Sequence, residues 1–174
     1  RFNLIAKLSG IREVYQYPLF KKTHQHITNT PKKFLKDKLD IDVNEDPKVQ
    51  IDNKLISDSI EKFHINKNIK NILLGIGGSG PTKRIPAEIF LNVIEKLSKI
   101  NKYNFFLATG KDIEEQKILN KILESKFKEL CQPLDDLSIK DTLPIIKNCD
   151  LSVCNDSSFS HLSAALGIKT ITLM

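Results

Sequence analysis

The chain has 174 residues, 40% hydrophobic and 28% charged, enough for one full domain with a real core plus a short accessory segment. No stretch approaches the roughly 20 apolar residues of a membrane span, and the start Arg1-Phe2-Asn3 lacks the long apolar run of a signal peptide, so a soluble protein is expected. The net charge of +6 favours anionic partners, but nucleic acid, phosphorylated lipid surfaces and nucleotides satisfy it equally.

Up to about Asn68 the sequence is polar and lysine-rich, and Pro18, Pro31 and Pro47 break it into short pieces. Helices are expected around Pro31 to Leu39 and Asn53 to Phe63. From Asn71 onward, short apolar runs alternate with amphipathic stretches, the pattern of repeated β-α units on a parallel sheet. Asn71 to Ile76 reads as a strand, and a Gly-rich loop then runs to Pro86, which suits a first helical turn because its missing N–H costs nothing there. Ile89, Phe90, Val93, Ile94 and Leu97 recur at helical spacing. Asn104 to Thr109 is a second strand, followed by a helix carrying Ile118, Leu119, Ile122 and Leu123. Ser138 and Asp141 have capping-box spacing for a third helix, which Pro144 would kink or start later. Asp150 to Cys154 is a strand, Ser158 to Leu166 a helix, and Lys169 to Leu173 the next strand. The chain opens without methionine and stops at Met174 beside a strand, so a piece of a longer protein is expected. Cys131, Cys149 and Cys154 lack metal-ligand spacing and read as core residues of a reducing cytoplasm.

In an open parallel sheet, ligands bind beyond the carboxyl ends of the strands. Two loops there have unusual composition. In Gly75 to Arg84, glycines let backbone N–H groups approach a ligand, and Ser79, Thr82, Lys83 and Arg84 offer donors to a phosphate-sized anion. A solvated strand-to-helix turn has the same composition. Gly75-x-Gly77-x-x-Gly80 formally matches the dinucleotide fingerprint, but Pro81 to Pro86 delay the helix, and Asp112 comes too late for the acidic residue after the second strand. The P-loop pattern fails because Pro81-Thr82 follows Gly80.

The second loop is Asn155-Asp-Ser-Ser-Phe-Ser-His161. Asp156 or Ser157 can cap the following helix, and the free N–H groups of Ser157, Ser158 and Phe159 would point out of the sheet with the positive end of the helix dipole. His161, one turn in, can face the same crevice. An ordinary helix cap is the plainer reading of this loop alone. Two such loops at adjacent strand ends would hold a pyrophosphate from two sides.

These residues resemble glycosyltransferase family 9, the ADP-heptose:lipopolysaccharide heptosyltransferases, over roughly Ile72 to Met174. The resemblance is carried by Gly77-Gly-Ser-Gly-Pro-Thr-Lys-Arg-Ile-Pro86, by Thr109-Gly110 with Glu114-Glu115, and by Asn155-Asp-Ser-Ser-Phe-Ser-His-Leu-Ser-Ala-Ala-Leu-Gly167. It implies an α/β fold, a Rossmann-like parallel sheet with flanking helices, forming the C-terminal half of a GT-B enzyme. Residues 69–174 would be the nucleotide-sugar-binding domain, truncated at its C-terminus, and 1–68 the tail of the acceptor-side domain with its linker. The implied donor-binding residues are Gly78, Ser79, Gly80, Lys83, Arg84, Glu114, Leu137, Asp156, Ser157, Ser158, Phe159 and His161. Among them Ser79 and Lys83 contact the diphosphate, Glu114 the ribose and Leu137 the base. A solvated helix face for Glu114 and a core position for Leu137 are the structural alternatives.

Ser158 stands where the family has glycine; a position needing positive φ would cost serine on the order of 1 kcal/mol. Ile85 replaces the family's common tryptophan. The family's general base lies in the N-terminal domain and has no counterpart here, so no catalytic residue is assigned to this chain. The implied reaction is inverting, metal-independent transfer of a sugar, heptose by resemblance, from a nucleotide-diphosphate sugar to a lipid-linked, lipopolysaccharide-type saccharide, with no cofactor and no nucleic acid partner. The rivals are a non-catalytic nucleotide- or sugar-binding module and an NAD-binding domain. A cytoplasmic location at the inner face of the inner membrane follows, where Lys21, Lys22, Lys32, Lys33, Lys36 and Lys38 can face an anionic surface or serve as a solvated one. Asp40-Ile-Asp42 has the spacing of a metal-binding Asp-x-Asp but falls far from both loops and is read as chance.

Overall fold

The computed structural model describes residues 2–17 and 28–174. Pro18, Lys21 and Lys22 lie outside the described residues. The chain divides into two compact units, Arg1–Pro47 and Lys48–Met174.

The first unit contains helices α1 (Phe2–Leu8) and α2 (Asn29–Leu39). Helix α2 begins two residues before Pro31, and α1 lies in a stretch whose weak periodicity gave no helix. Asp40 ends α2 in the left-handed conformation at φ 54°. The lysines of α2 are engaged locally: Lys32 with Asp46, Lys33 with Asp37, and Lys36 with both Asp40 and Asp42. Asp40 and Asp42 therefore share one lysine, and these two carboxylates hold the Lys36 ammonium above its usual pKa.

The second unit begins with α3 (Asn53–Lys62), whose N-cap Asp52 accepts a hydrogen bond from the Lys54 amide at 2.8 Å. Strand β1 (Lys70–Gly75) follows, then a 3-10 turn over Pro81–Lys83 and α4 (Ala87–Ser98). Strand β2 (Tyr103–Ala108) leads to α5 (Ile113–Leu123), and β3 (Cys131–Pro133) to α6 (Ile139–Lys147). Strand β4 (Leu151–Asn155), α7 (Ser158–Ala165) and β5 (Lys169–Leu173) complete the unit. The capping expected at Ser138 is present: its hydroxyl accepts from the Asp141 amide at 3.2 Å. Helix α6 starts there and runs through Pro144.

Among the described residues all four strand pairings are parallel, in the order β3-β2-β1-β4-β5. The central strands are apolar along nearly their whole length, because helices cover both sheet faces and alternation has no solvent side to serve. One face packs Ile72, Leu74, Phe105 and Leu107 against Phe90, Ile94, Leu119 and Ile122 of α4 and α5. The other packs Leu73, Phe106 and Cys154 against Ile145, Ile146, Phe159 and Leu166, with Ile60, Phe63 and Ile65 at the end of α3 added to this core. Phe90 and Ile94 are fully buried, and each such side chain contributes about 1.5–3 kcal/mol. Burial also pushes the thiols up, to about 12 for Cys131 and Cys149 and about 11 for Cys154. Among the described residues, no helix is long and apolar enough to cross a membrane.

The strand order reverses direction at β1: the chain moves outward through β2 and β3, then returns to β4 on the other side of β1. This leaves a crevice at the carboxyl ends of β1 and β4, the position where open α/β sheets bind ligands.

Candidate functional site

The Gly-rich loop leaves β1 and the Asn155–His161 loop leaves β4. Because β1 and β4 pair directly, with Gly75 opposite Cys154, the two loops are neighbours. Gly75 is needed there, since a Cβ on it would lie 2.6 Å from the Cys154 Sγ. Buried Asn155 reaches across the pair, its Nδ2 donating to the Ile76 carbonyl at 2.8 Å.

Beyond the strand ends is a cavity of about 640 Å³, a volume suited to a small-molecule ligand. Of the sequence-predicted residues, Gly78, Ser79, Lys83, Leu137, Asp156, Ser157, Ser158, Phe159 and His161 line it. Gly80 does not line it. Arg84 and Glu114 line a separate cavity between the starts of α4 and α5. There Glu114 pairs with Lys117 at 2.6 Å, and Arg84 turns its Nη2 to Asp112 at 3.0 Å and its Nε to the Gly78 carbonyl at 2.9 Å.

Lys83 and Asp156 join the two loops, with Nζ 2.6 Å from Oδ2. The Lys83 hydrogen bond and then its charge hold the Asp156 carboxyl below its usual pKa. His161, largely exposed on α7, has Nε2 3.8 Å from the other Asp156 oxygen. The loop is folded tightly enough to present Lys83 because Gly78 has no side chain: a Cβ there would lie 2.6 Å from the Lys83 carbonyl oxygen.

Helix α7 begins at Ser158, after Ser157 in an extended conformation. Neither expected side-chain cap forms: Asp156 is engaged with Lys83, and the buried Ser157 hydroxyl makes no hydrogen bond among the described residues. Ser158 is not among the residues of positive φ, so serine in place of glycine carries no backbone strain. Its position at the first helical turn leaves its N–H among those without an intrahelical acceptor.

Several wall residues were not among the expected donor-binding residues: Gly77, Thr109, Gly110 and Glu115, which carry part of the family resemblance, and Lys111, Asp135 and Ile139. Glu115 is the most consequential. Its side chain is buried, and it accepts from the Gly78 amide at 2.8 Å, the Gly110 amide at 2.7 Å and the Thr109 hydroxyl at 3.2 Å. The amides of Ile76 and Gly77 both donate to the Ala108 carbonyl. Three consecutive amides of the Gly-rich loop are thus used internally, in contrast to the expectation that they face a ligand. The signal for Glu115 was helical phase: it lies four and seven residues before the buried Leu119 and Ile122, whereas Glu114 is one position off that face.

Among the described residues, no group of three or more His, Cys, Asp or Glu side chains is gathered as a metal site. At the β1–β4 end the cavity wall carries the Lys83–Asp156 pair beside the α7 N-terminus, and elsewhere apolar Leu137 and Ile139.

Comparison with known proteins bears on what this arrangement is. The chain is 27% identical over 126 residues to lipopolysaccharide heptosyltransferase 1 of Campylobacter coli, an alignment covering 71% of this chain and 36% of that protein. Its fold is similar to that of a glycosyltransferase family 9 protein from Veillonella parvula, with a TM-score of 0.69 at 17% identity over 87% of this chain and 44% of that one. It is likewise similar to the E. coli heptosyltransferase WaaC with ADP-2-deoxy-2-fluoro heptose, with a TM-score of 0.62 at 18% identity over 87% and 45% of the two chains. The chain spans less than half the length of each of these relatives. The parallel sheet, with its two loops at the β1–β4 switch point, accordingly matches about half of a GT-B heptosyltransferase. The sequence profile of glycosyltransferase family 9 (heptosyltransferase) matches residues 13–174, both loops included, and the chain belongs to that family.

Proposed function

We propose that this chain is the donor-binding, C-terminal half of an enzyme that transfers heptose from a nucleotide-diphosphate sugar to a lipopolysaccharide-type saccharide, with inversion and without a metal. The observation that carries this reading is the Lys83–Asp156 link across two adjacent loops, beside the N-terminus of α7. An ammonium and a set of helix N-terminal amides converging on one cavity provide fixed positive charge where a diphosphate develops negative charge on departure.

Lys83 is the direct charge partner of the diphosphate in this scheme. In the structure Asp156 occupies its ammonium, so a phosphate oxygen takes over or shares that place. Ser79, Ser158 and Phe159 supply further donors from the two loops, and His161 stands at the cavity rim. Leu137 and Ile139 offer an apolar surface for the base. Arg84 has a supporting part, since its guanidinium is turned to Gly78 and Asp112. The solved WaaC structure contains an ADP-sugar analogue, which supports adenine as the base here. A carboxylate outside these residues deprotonates the acceptor hydroxyl. The local pairing of Lys32, Lys33 and Lys36 with aspartates reduces the charge available for an anionic membrane surface, so contact with a lipid-linked acceptor is assigned to the rest of the enzyme.

Calorimetric titration with ADP, UDP, GDP and NAD, without added metal, tests the reading. ADP is expected to bind, and Lys83→Ala to weaken it by about 1–3 kcal/mol, the range for a charge-assisted hydrogen bond. Binding of NAD in preference to ADP, or no effect of Lys83→Ala, would remove the donor assignment.

A further inference from the structure

Glu115 occupies an unusual position for an acidic residue in a cavity proposed to hold a diphosphate. It sits in the first turn of α5, three residues after the N-cap Asp112, where a glutamate commonly folds back on its own helix start. Here it extends across the sheet end. One oxygen, Oε1, accepts the Gly78 amide; the other, Oε2, accepts the Gly110 amide and the Thr109 hydroxyl. The loops after β1 and β2 are thereby joined through one carboxylate.

The surrounding glycines fit this carboxylate. A Cβ on Gly110 would lie 2.7 Å from Oε2, and one on Gly77 3.1 Å from the same oxygen. Meanwhile Arg84 Nε donates to the Gly78 carbonyl at 2.9 Å. Gly78 is therefore held on both polar sides, by an acceptor at its N–H and a donor at its C=O. Ser79 follows immediately, and Lys83 lies five residues on, packed against the Gly78 backbone.

We infer that Glu115 is a positioning residue of the proposed donor site: its carboxylate, opposed by Arg84, fixes the Gly78 segment so that Ser79 and Lys83 are set for the diphosphate. The inference rests on the donor-site reading. Its physical basis is preorganisation, since a loop already fixed in the binding geometry loses less freedom when the ligand arrives. Glu115 also spends its acceptor capacity on three donors in the protein, so the carboxylate serves the loop while lying close to an anion site.

Glu115→Gln is nearly isosteric but cannot accept both glycine amides with its two terminal atoms, because its NH2 must face one of them. Three measurements on the 174-residue chain separate the outcomes: ADP affinity, the amide proton shifts of Gly78 and Gly110 by NMR, and circular dichroism to establish folding. In the wild type, both glycine amide protons are expected downfield. In Glu115→Gln, at least one moves upfield and ADP binding weakens about tenfold, the loss of a charge-assisted hydrogen bond expressed as a ratio. Arg84→Lys keeps the charge and the fold but loses the fork that holds the Gly78 carbonyl, and is expected to weaken ADP about threefold or more. It supplies the affinity arm if Glu115→Gln does not fold. Wild-type binding that both folded variants retain within twofold would overturn the positioning role, as would unchanged glycine amide shifts in a folded Glu115→Gln. If the wild type binds no ADP, the donor reading itself fails, and the positioning role fails with it; the amide shifts still report the carboxylate link separately.

Discussion

At the scale of single residues, the site depends on which side chain reaches which backbone group. Asp156 illustrates this: the Lys83 hydrogen bond, followed by the Lys83 charge, lowers its carboxyl pKa below the usual 3.8. A folded-state pKa below the unfolded one gives a contribution to stability that is present above the unfolded value and lost as pH falls through the folded value. NMR titration of the Asp156 carboxyl is therefore expected to give a midpoint below 3.8, and Lys83→Ala to move it upward. A midpoint unchanged by that substitution would show that the link does not persist in solution. The residues of both loops were legible because glycine, lysine and helix-capping types recur there in one short span. Their division of labour was not. Glu114 and Glu115 are adjacent and chemically identical, and only the packing of α5 on the sheet turns one inward to Gly78 and leaves the other beside Lys117. Arg84 was expected beside Lys83 at the anion, but the extended backbone after the 3-10 turn directs it to Gly78 and Asp112.

At the scale of elements, most helices and strands were readable because each has enough positions to establish a period. Helix α4 shows its face through Phe90 and Ile94, and β1 and β2 through unbroken apolar runs. Strand β3 is three residues long, too short for any period, and its assignment depends on the ladder that pairs Phe105 with Cys131 and Leu107 with Pro133. Asn148, which follows α6, shows a connection between elements that composition does not reveal. Its Nδ2 donates to the Ile56 carbonyl at 3.0 Å, the Ser59 hydroxyl at 2.9 Å and the Pro144 carbonyl at 3.0 Å, joining α3 to α6. Asn148→Ala removes this shared donor, leaving the Ile56 carbonyl only the Ser59 hydroxyl at 2.8 Å, and is expected to cost about 1–3 kcal/mol. Urea denaturation monitored by circular dichroism checks this; a change below about 0.5 kcal/mol, the usual scale for a surface substitution, would mean the amide contributes nothing net.

For the whole molecule, the compact unit containing the sheet begins at Lys48. Ile60, Phe63 and Ile65 lie before β1 in sequence yet belong to the core on the face covered by α6 and α7. A fragment of residues 48–174 is expected to unfold in one cooperative transition. A fragment of 69–174 is expected to be less stable by about 2–5 kcal/mol, the scale of large core truncations. Equal urea midpoints for the two fragments would show that the α3 segment is dispensable to the sheet.

The sequence by itself determined the alternation of strands and helices, the parallel sheet, the two loops at strand ends and the family. Each depends on local pattern or on residue types concentrated in a short span, and such information survives without knowing what lies opposite. Tertiary structure alone decided that the two loops meet at Lys83 and Asp156, that Glu115 and Arg84 hold Gly78 from opposite sides, and that α3 joins the core. These are contacts between residues 37 to 92 positions apart, or between groups whose direction depends on packing, and they exist only when the sheet brings strand ends and helix faces together.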